Sequence, residues 1–242
     1  MSQAAQGNTP ENTPRGAHPL DEVVWNALAG KLHRFAIGDE RSRRLPSSIG
    51  PFAAVADAGP SSFDALRELI DMHGPAALVT AEAIAPPDGF AVLRQAKLLQ
   101  MIWQGTPDPA HAWEHTRLGA ADVPEMLALT AATEPGPFGP RTIELGDYLG
   151  LRKAGRLAAM AGERMRLEGY TEISAVCVDP AFRGQGHAAG LMKLLIAAIG
   201  ARGETPFLHV VTSNHGAISL YRTLGFVERS EMNLLVLGGG EA

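Results

Sequence analysis

The stretch VCVDPAFRGQGHAAGLMKLLIAAI, Val176–Ile199, constrains this chain more than any other. A short apolar, β-branched run ends in Asp179-Pro180, passes through Arg183-Gly184-Gln185-Gly186, and enters a segment with leucines at helical spacing. A strand that turns through glycines into a helix leaves several backbone N–H groups unpaired at the positive end of the helix dipole. Such a turn attracts phosphates. Gly184 and Gly186 tolerate positive φ and let the backbone come close to an anion, while Ala188 adds only a methyl group. Arg183 can bring a charged fork of donors to the same place. A Gly-x-Gly is equally at home in a plain tight turn, so the turn alone leaves both readings open.

The surrounding residues narrow the choice of phosphate. A nucleoside triphosphate loop ends in Gly-Lys-Ser/Thr, whereas this turn ends in Gly186-His187-Ala188. Gly184, Gly186 and Gly190 imitate a dinucleotide fingerprint, but that fold wants an acidic residue at the end of the next strand. Here the next strand, PFLHVVT, runs into Thr212-Ser213, and too little chain follows for the further strand–helix units required.

Along the rest of the chain the patterns alternate between helix and strand. WNALAGKLHRFA reads as a helix, PFAAVAD as a short strand, SSFDALRELIDMHG as a helix, and PAALVTAE and Leu98–Trp103 as strands. QGTPDPAHA, Gln104–Ala112, marks a connection between two regions. Beyond it, HTRLGAADVPEMLALTAAT reads as a strand and a helix, and Pro135–Phe138 as a rigid loop. Asp147–Lys153 and Arg156–Arg166 form a hairpin about Ala154-Gly155, and Tyr170–Val178 is the next strand. After the helix that starts at Gly186 come a strand at Pro206–Thr212, a helix at Ala217–Leu224, and one or two strands over Phe226–Leu237. The expected fold is a mixed α/β sheet with helices on both faces. The expected division is a disordered tail over 1–17, an N-terminal α/β region over 18–110, and a second unit over 111–242.

Bulk properties exclude other classes. The net charge of −5 gives no support to nucleic-acid binding, which needs clustered Lys and Arg. No apolar run reaches the length of a membrane span. The polar first 17 residues lack the apolar centre of a signal peptide. A single cysteine, Cys177, cannot form an internal disulfide and fits a reducing compartment, so the expected location is cytoplasmic. His111 and His115 stand four apart with no third ligand nearby, so no metal is expected.

Arg183, Gly186 and Ala188 match the loop signature of the GNAT superfamily of N-acyltransferases, which use acetyl-CoA or another acyl-CoA. The downstream run NHGAISLYRTLGF repeats the match, with Asn214, Ala217, Leu220, Tyr221, Gly225 and Phe226 at the family's spacing. The chain therefore resembles a GNAT N-acetyltransferase from about His115 to Leu237, and is closest to a subgroup related to glycine N-acyltransferases. The first hundred residues match no motif; their alternation suggests a divergent half-copy of the same fold.

The resemblance implies a splayed central sheet and acetyl-CoA as co-substrate, with its pyrophosphate on the turn and helix start, Arg183, Gly184, Gln185, Gly186, His187, Ala188 and Ala189. It implies that the pantetheine arm pairs with the strand edge at Val176, Cys177 and Val178. Asn214 could bond that arm or cap the following helix. Tyr221 would sit near the thioester sulfur and protonate the leaving thiolate, although a tyrosine at helical spacing is also ordinary core. Glu172 is the expected base; strand alternation groups it with Ser174, Val176 and Val178. Glu163 is the second candidate. Cys177 reads as a small buried residue rather than a nucleophile, so direct attack by a primary amine in a ternary complex is expected. A non-catalytic acyl-CoA sensor is the alternative. The acceptor, a small-molecule or peptide amine, would be shaped by Pro135–Arg141 and Glu231–Leu235, and a homodimer is compatible with the sequence.

Overall fold

A computed structural model describes residues 18–106 and 113–240. The expected tail at 1–17 and His111 lie outside the described residues. In chain order the strands are β1 (Ile37–Gly38), β2 (Ser42–Arg44), β3 (Phe52–Val55), β4 (Ala76–Thr80), β5 (Phe90–Trp103) and β6 (Thr116–Arg117). They continue with β7 (Tyr148–Lys153), β8 (Arg156–Leu167), β9 (Tyr170–Val178), β10 (Thr205–Val211) and β11 (Phe226–Gly239). The helices are α1 (Val23–Ala29), α2 (Pro60–His73), α3 (Val123–Thr133), α4 (His187–Ala201) and α5 (His215–Thr223).

All these strands join one mixed sheet in the order β1-β2-β3-β4-β11-β5-β10-β9-β8-β7-β6. β3/β4 and β9/β10 are parallel and the remaining pairs antiparallel. The hairpin turn falls at Ala154-Gly155, both with positive φ, which suits the right-handed twist of the flanking strands. β5 comes from the first half of the chain yet lies between β10 and β11, two strands of the second half.

Alternation along each strand divides the core between two faces. On one side α1 covers Met165, Leu167, Phe207 and Met232, and α3 packs with Met160, Ala175 and Cys177. On the other, α4 inserts Leu191, Met192, Leu195, Ile196 and Ile199 against Ala159, Ala161, Ile173 and Leu208. Those five positions form one stripe at helical spacing, and each buried aliphatic side chain contributes about 1.5–3 kcal/mol. α2 seals the far end of the same face over Leu78, Leu235 and Leu237.

Two expectations about elements change, and one that was left open resolves. The first helix stops at Ala29, because Gly30 ends it; Leu32 precedes and Phe35 closes a separate short turn, His33–Phe35. The strand expected at Leu98–Trp103 begins eight residues earlier, at Phe90. The final apolar run is a single strand, β11, with register shifts at Glu228/Ser230 and Val236/Leu237.

Candidate active site

α4 begins at an open helix end. Its N-cap is Gly186, with φ of 78°, and among the described residues no side chain caps the first-turn N–H groups. Gly184 also has positive φ, and a Cβ there would meet nothing within 4 Å. A glycine pair in this conformation presents successive N–H groups toward the same side, at the positive end of a 15-residue helix. α5 contrasts with it: Asn214 Oδ1 accepts from Ala217 N at 3.1 Å and closes the helix start.

A cavity of about 530 Å³ opens in front of this turn. Its walls include Val176, Cys177 and Val178 of β9, Arg183, Gly184 and Gly186–Ala189 around the turn, and Leu220 and Tyr221 of α5. The expected cofactor-binding residues thus converge, with two exceptions. Gln185 is exposed and Asn214 is engaged as a cap, and neither lines the cavity. Arg183 sits on the rim, where its Nε donates to Val178 O at 3.3 Å. Both ring nitrogens of His187, a buried residue on the cavity wall, have no hydrogen-bond partner among the described residues.

The cavity lies where the sheet forks. β9 and β10 pair only through Tyr170–Glu172 and Thr205–Phe207, and beyond that point β10 is paired only to β5. Val176 to Val178 are left with a free edge on the β10 side, which can accept an extended amide-bearing chain. Ala175, with φ of 52°, is an extra residue here: Met160 pairs with Cys177 and Gly162 with Ser174, so β9 advances three residues for two of β8.

That bulge corrects the alternation expected from the sequence. Val176 and Val178 pack on the α4 face with Ile173, while Glu172 points to the α1 face beside Arg164 and Phe52. Glu172 is therefore absent from the cavity wall. Its carboxylate accepts from Arg164 Nε at 2.8 Å and Nη2 at 2.7 Å, and His209 Nδ1 stands 2.8 Å away. Burial alone would raise its carboxyl; the guanidinium and the imidazole outweigh that and hold it well below the usual range. A carboxylate so stabilised is a weak proton acceptor, so Glu172 as direct base is not supported. Glu163 is no better placed, being buried against Arg202 at 2.7 Å.

Tyr221 is half-buried on the cavity wall, its ring edge-on to Phe226. Burial pushes its phenol up to about 12, so it stays protonated through the neutral range. Burial likewise pushes the Cys177 thiol up to about 11, and its neighbours are Thr133, Met160 and the α3 core. A thiol in that state is a poor nucleophile. Among the described residues no three His, Cys, Asp or Glu side chains group to hold a metal, and no helix is long and apolar enough to cross a membrane.

Sequence patterns did not reveal Trp113, Arg164 or His209. Trp113 lies over the start of α4, and a Cβ on Gly190 would stand 2.4 Å from its ring. That close approach explains a glycine inside a helix which otherwise resembled a dinucleotide fingerprint. A legible signal for Arg164 was its place in a largely apolar strand, where a charge demands a partner.

The FR47-like protein family matches residues 148–235. Over 121 residues the chain is 34% identical to the N-alpha-acetyltransferase RimI of Mycobacterium tuberculosis, covering 46% of this chain and 74% of that one. It is 32% identical over 117 residues to the ribosomal protein bS18-alanine N-acetyltransferase of Escherichia coli, covering 46% and 78%. A solved structure of a GNAT-family protein from Novosphingobium aromaticivorans is 44% identical, with a TM-score of 0.87, over 93% of this chain and all of that one. A GCN5-related N-acetyltransferase from Kribbella flavida shares the fold, at 19% identity and a TM-score of 0.61 over 91% and 95% of the two chains.

Proposed function

The chain belongs to the GNAT family of acetyltransferases, enzymes that move an acyl group from acyl-CoA to an amine, and from that premise we propose how its residues divide the work. The acyl donor is acetyl-CoA, which supplies an acetyl group activated as a thioester. The uncapped start of α4, opening onto a cavity that carries Tyr221 on its other wall, is the observation that supports this reading. The N–H groups from Gly186 to Ala189 bind the diphosphate, with Arg183 beside them. The edge of β9 at Val176–Val178 aligns the arm, and its N–H groups polarise the carbonyl to be attacked. Tyr221 donates its proton to the departing thiolate. Cys177 forms no covalent link: donor and amine react directly, and holding them together supplies most of the acceleration.

For the acceptor we propose a peptide N-terminal amine. One relative, at 34% identity, is named an N-alpha-acetyltransferase, and another, at 32%, an N-acetyltransferase of an alanine of ribosomal protein bS18. None of the relatives above bears on kinship with glycine N-acyltransferases. A reducing, cytosolic setting belongs to the same proposal and is supported by the lone buried thiol of Cys177.

The test is thiol release from acetyl-CoA with a panel of an alanyl tetrapeptide, an Nα-blocked lysine peptide, spermidine and glycine. Release fastest with the alanyl peptide is expected. Release with spermidine or glycine alone would sink the peptide acceptor, and calorimetry without acetyl-CoA affinity would sink the site.

A further inference from the structure

The fork between β9 and β10 holds ionisable groups that the cavity wall does not use. Glu172 is the last residue of β9 paired to β10, opposite Phe207. His209 is the next residue on the same face of β10, and its ring meets Phe207 edge-on. The hydrogen bond between Glu172 and His209 therefore spans the fork at its closed end. Continuing the register would set His209 opposite Ser174. Two residues further, about 7 Å at strand rise, Val176 begins the cavity wall.

The neighbours fix the state of the imidazole. Arg229 Nη1 donates to Gln100 Oε1 at 2.7 Å, so the carboxamide of Gln100 must turn its nitrogen the other way. That nitrogen donates to Leu20 O at 2.9 Å and faces His209 Nε2 at 3.0 Å. A donor opposite Nε2 makes it the unprotonated nitrogen, and Nδ1–H then donates to Glu172. Arg164 on β8, Glu172 on β9, Arg229 on β11 and Asp21 before α1 are the charged groups around this ring; His18 stands by Arg229. The result is an imidazole oriented by a carboxylate, with its lone pair on the side away from that carboxylate. In other enzymes this pairing readies an imidazole to accept a proton.

The geometry points to His209 as the group that takes the proton of the acceptor amine, with Glu172 as its positioning residue. This rests on the acetyltransferase reading above. The N–H bond of the ammonium breaks toward Nε2, which gives up the Gln100 N–H in exchange, and the imidazolium is stabilised by Glu172. The freed amine forms the C–N bond and the C–S bond breaks. The thiolate takes the Tyr221 proton, Tyr221 recovers one from the new amide nitrogen, and His209 releases its proton to water. Protons balance: one leaves to solvent for each ammonium acetylated.

The experiment compares His209→Gln with the wild type on the panel amine that turns over fastest, across pH, alongside calorimetry of acetyl-CoA binding. Expected are a loss of kcat/KM of about 10²–10⁴-fold, disappearance of the acidic limb, and acetyl-CoA affinity within about twofold. A variant that keeps the limb and most of the rate overturns the inference. Wild type that fails to turn over any amine would instead indict the acetyltransferase reading. Should His209→Gln not bind acetyl-CoA, NMR of the wild-type ring decides: His209 must titrate at the midpoint of the acidic limb, and a mismatch rejects the assignment.

Discussion

Arg164 grips both carboxylate oxygens of Glu172 from the neighbouring strand, at 2.8 and 2.7 Å, with the arginine side chain 11% and the glutamate 1% exposed. Glu172→Gln leaves a buried guanidinium without its counter-charge, which costs about 3–5 kcal/mol. Urea unfolding should show that loss, and Arg164→Met/Glu172→Leu should recover much of it. The carboxyl is depressed in the folded state, so its stabilisation is complete above the unfolded carboxylate range, about 4.3, and is lost as pH falls further toward the folded value. A stability curve flat from pH 7 to pH 3 would contradict the pairing.

Tyr221→Phe removes the hydroxyl on the cavity wall and little else. We expect kcat to drop about 10²–10⁴-fold while acetyl-CoA affinity is kept. Because burial lifts the phenol to about 12, its ionisation should cause no fall in wild-type rate below about pH 10. Full turnover in Tyr221→Phe would remove the acid role.

Asn214 separates two roles by size of effect. As a cap on α5, its replacement by alanine should cost about 1 kcal/mol of stability and leave acetyl-CoA affinity unchanged. A tenfold loss of affinity at unchanged stability would mean that Asn214 touches the pantetheine arm instead.

Gly190→Ala would normally stabilise a helix by about 0.5–1 kcal/mol. Here the added Cβ meets the Trp113 ring, so destabilisation by about 1–3 kcal/mol is expected, with a shift in Trp113 fluorescence. Trp113→Ala should relieve the clash. A stabilised Gly190→Ala protein would show that Trp113 does not rest on α4.

Local chemistry carried the sequence reading furthest. Glycines at 184 and 186 announced their backbone, and Gly155 its hairpin, because positive φ selects glycine. Most residues of the cavity wall were recognisable by spacing, since they lie on β9, the glycine turn, the start of α4 and one face of α5. Two features left no such trace. Ala175 takes positive φ without being glycine, so nothing in the letters flags the bulge that turns Glu172 away from Val176. Arg164, Glu172, His209, Gln100 and Arg229 sit on five different strands and meet only once the sheet is assembled; no local pattern joins them.

β5 leaves synthesis with neither of its eventual flanking strands yet made. Its last residue, Trp103, precedes Phe226 of β11 by 123 positions, and β10 also lies far downstream. Long-range pairings of this kind form slowly, so a nascent chain must keep an apolar ribbon from sticking to strangers until both neighbours arrive. It follows that severing the chain between Trp103 and Trp113 should strip the transferase sheet of its middle rather than release an independent half. Mixing the two fragments should restore the enzyme only by strand complementation.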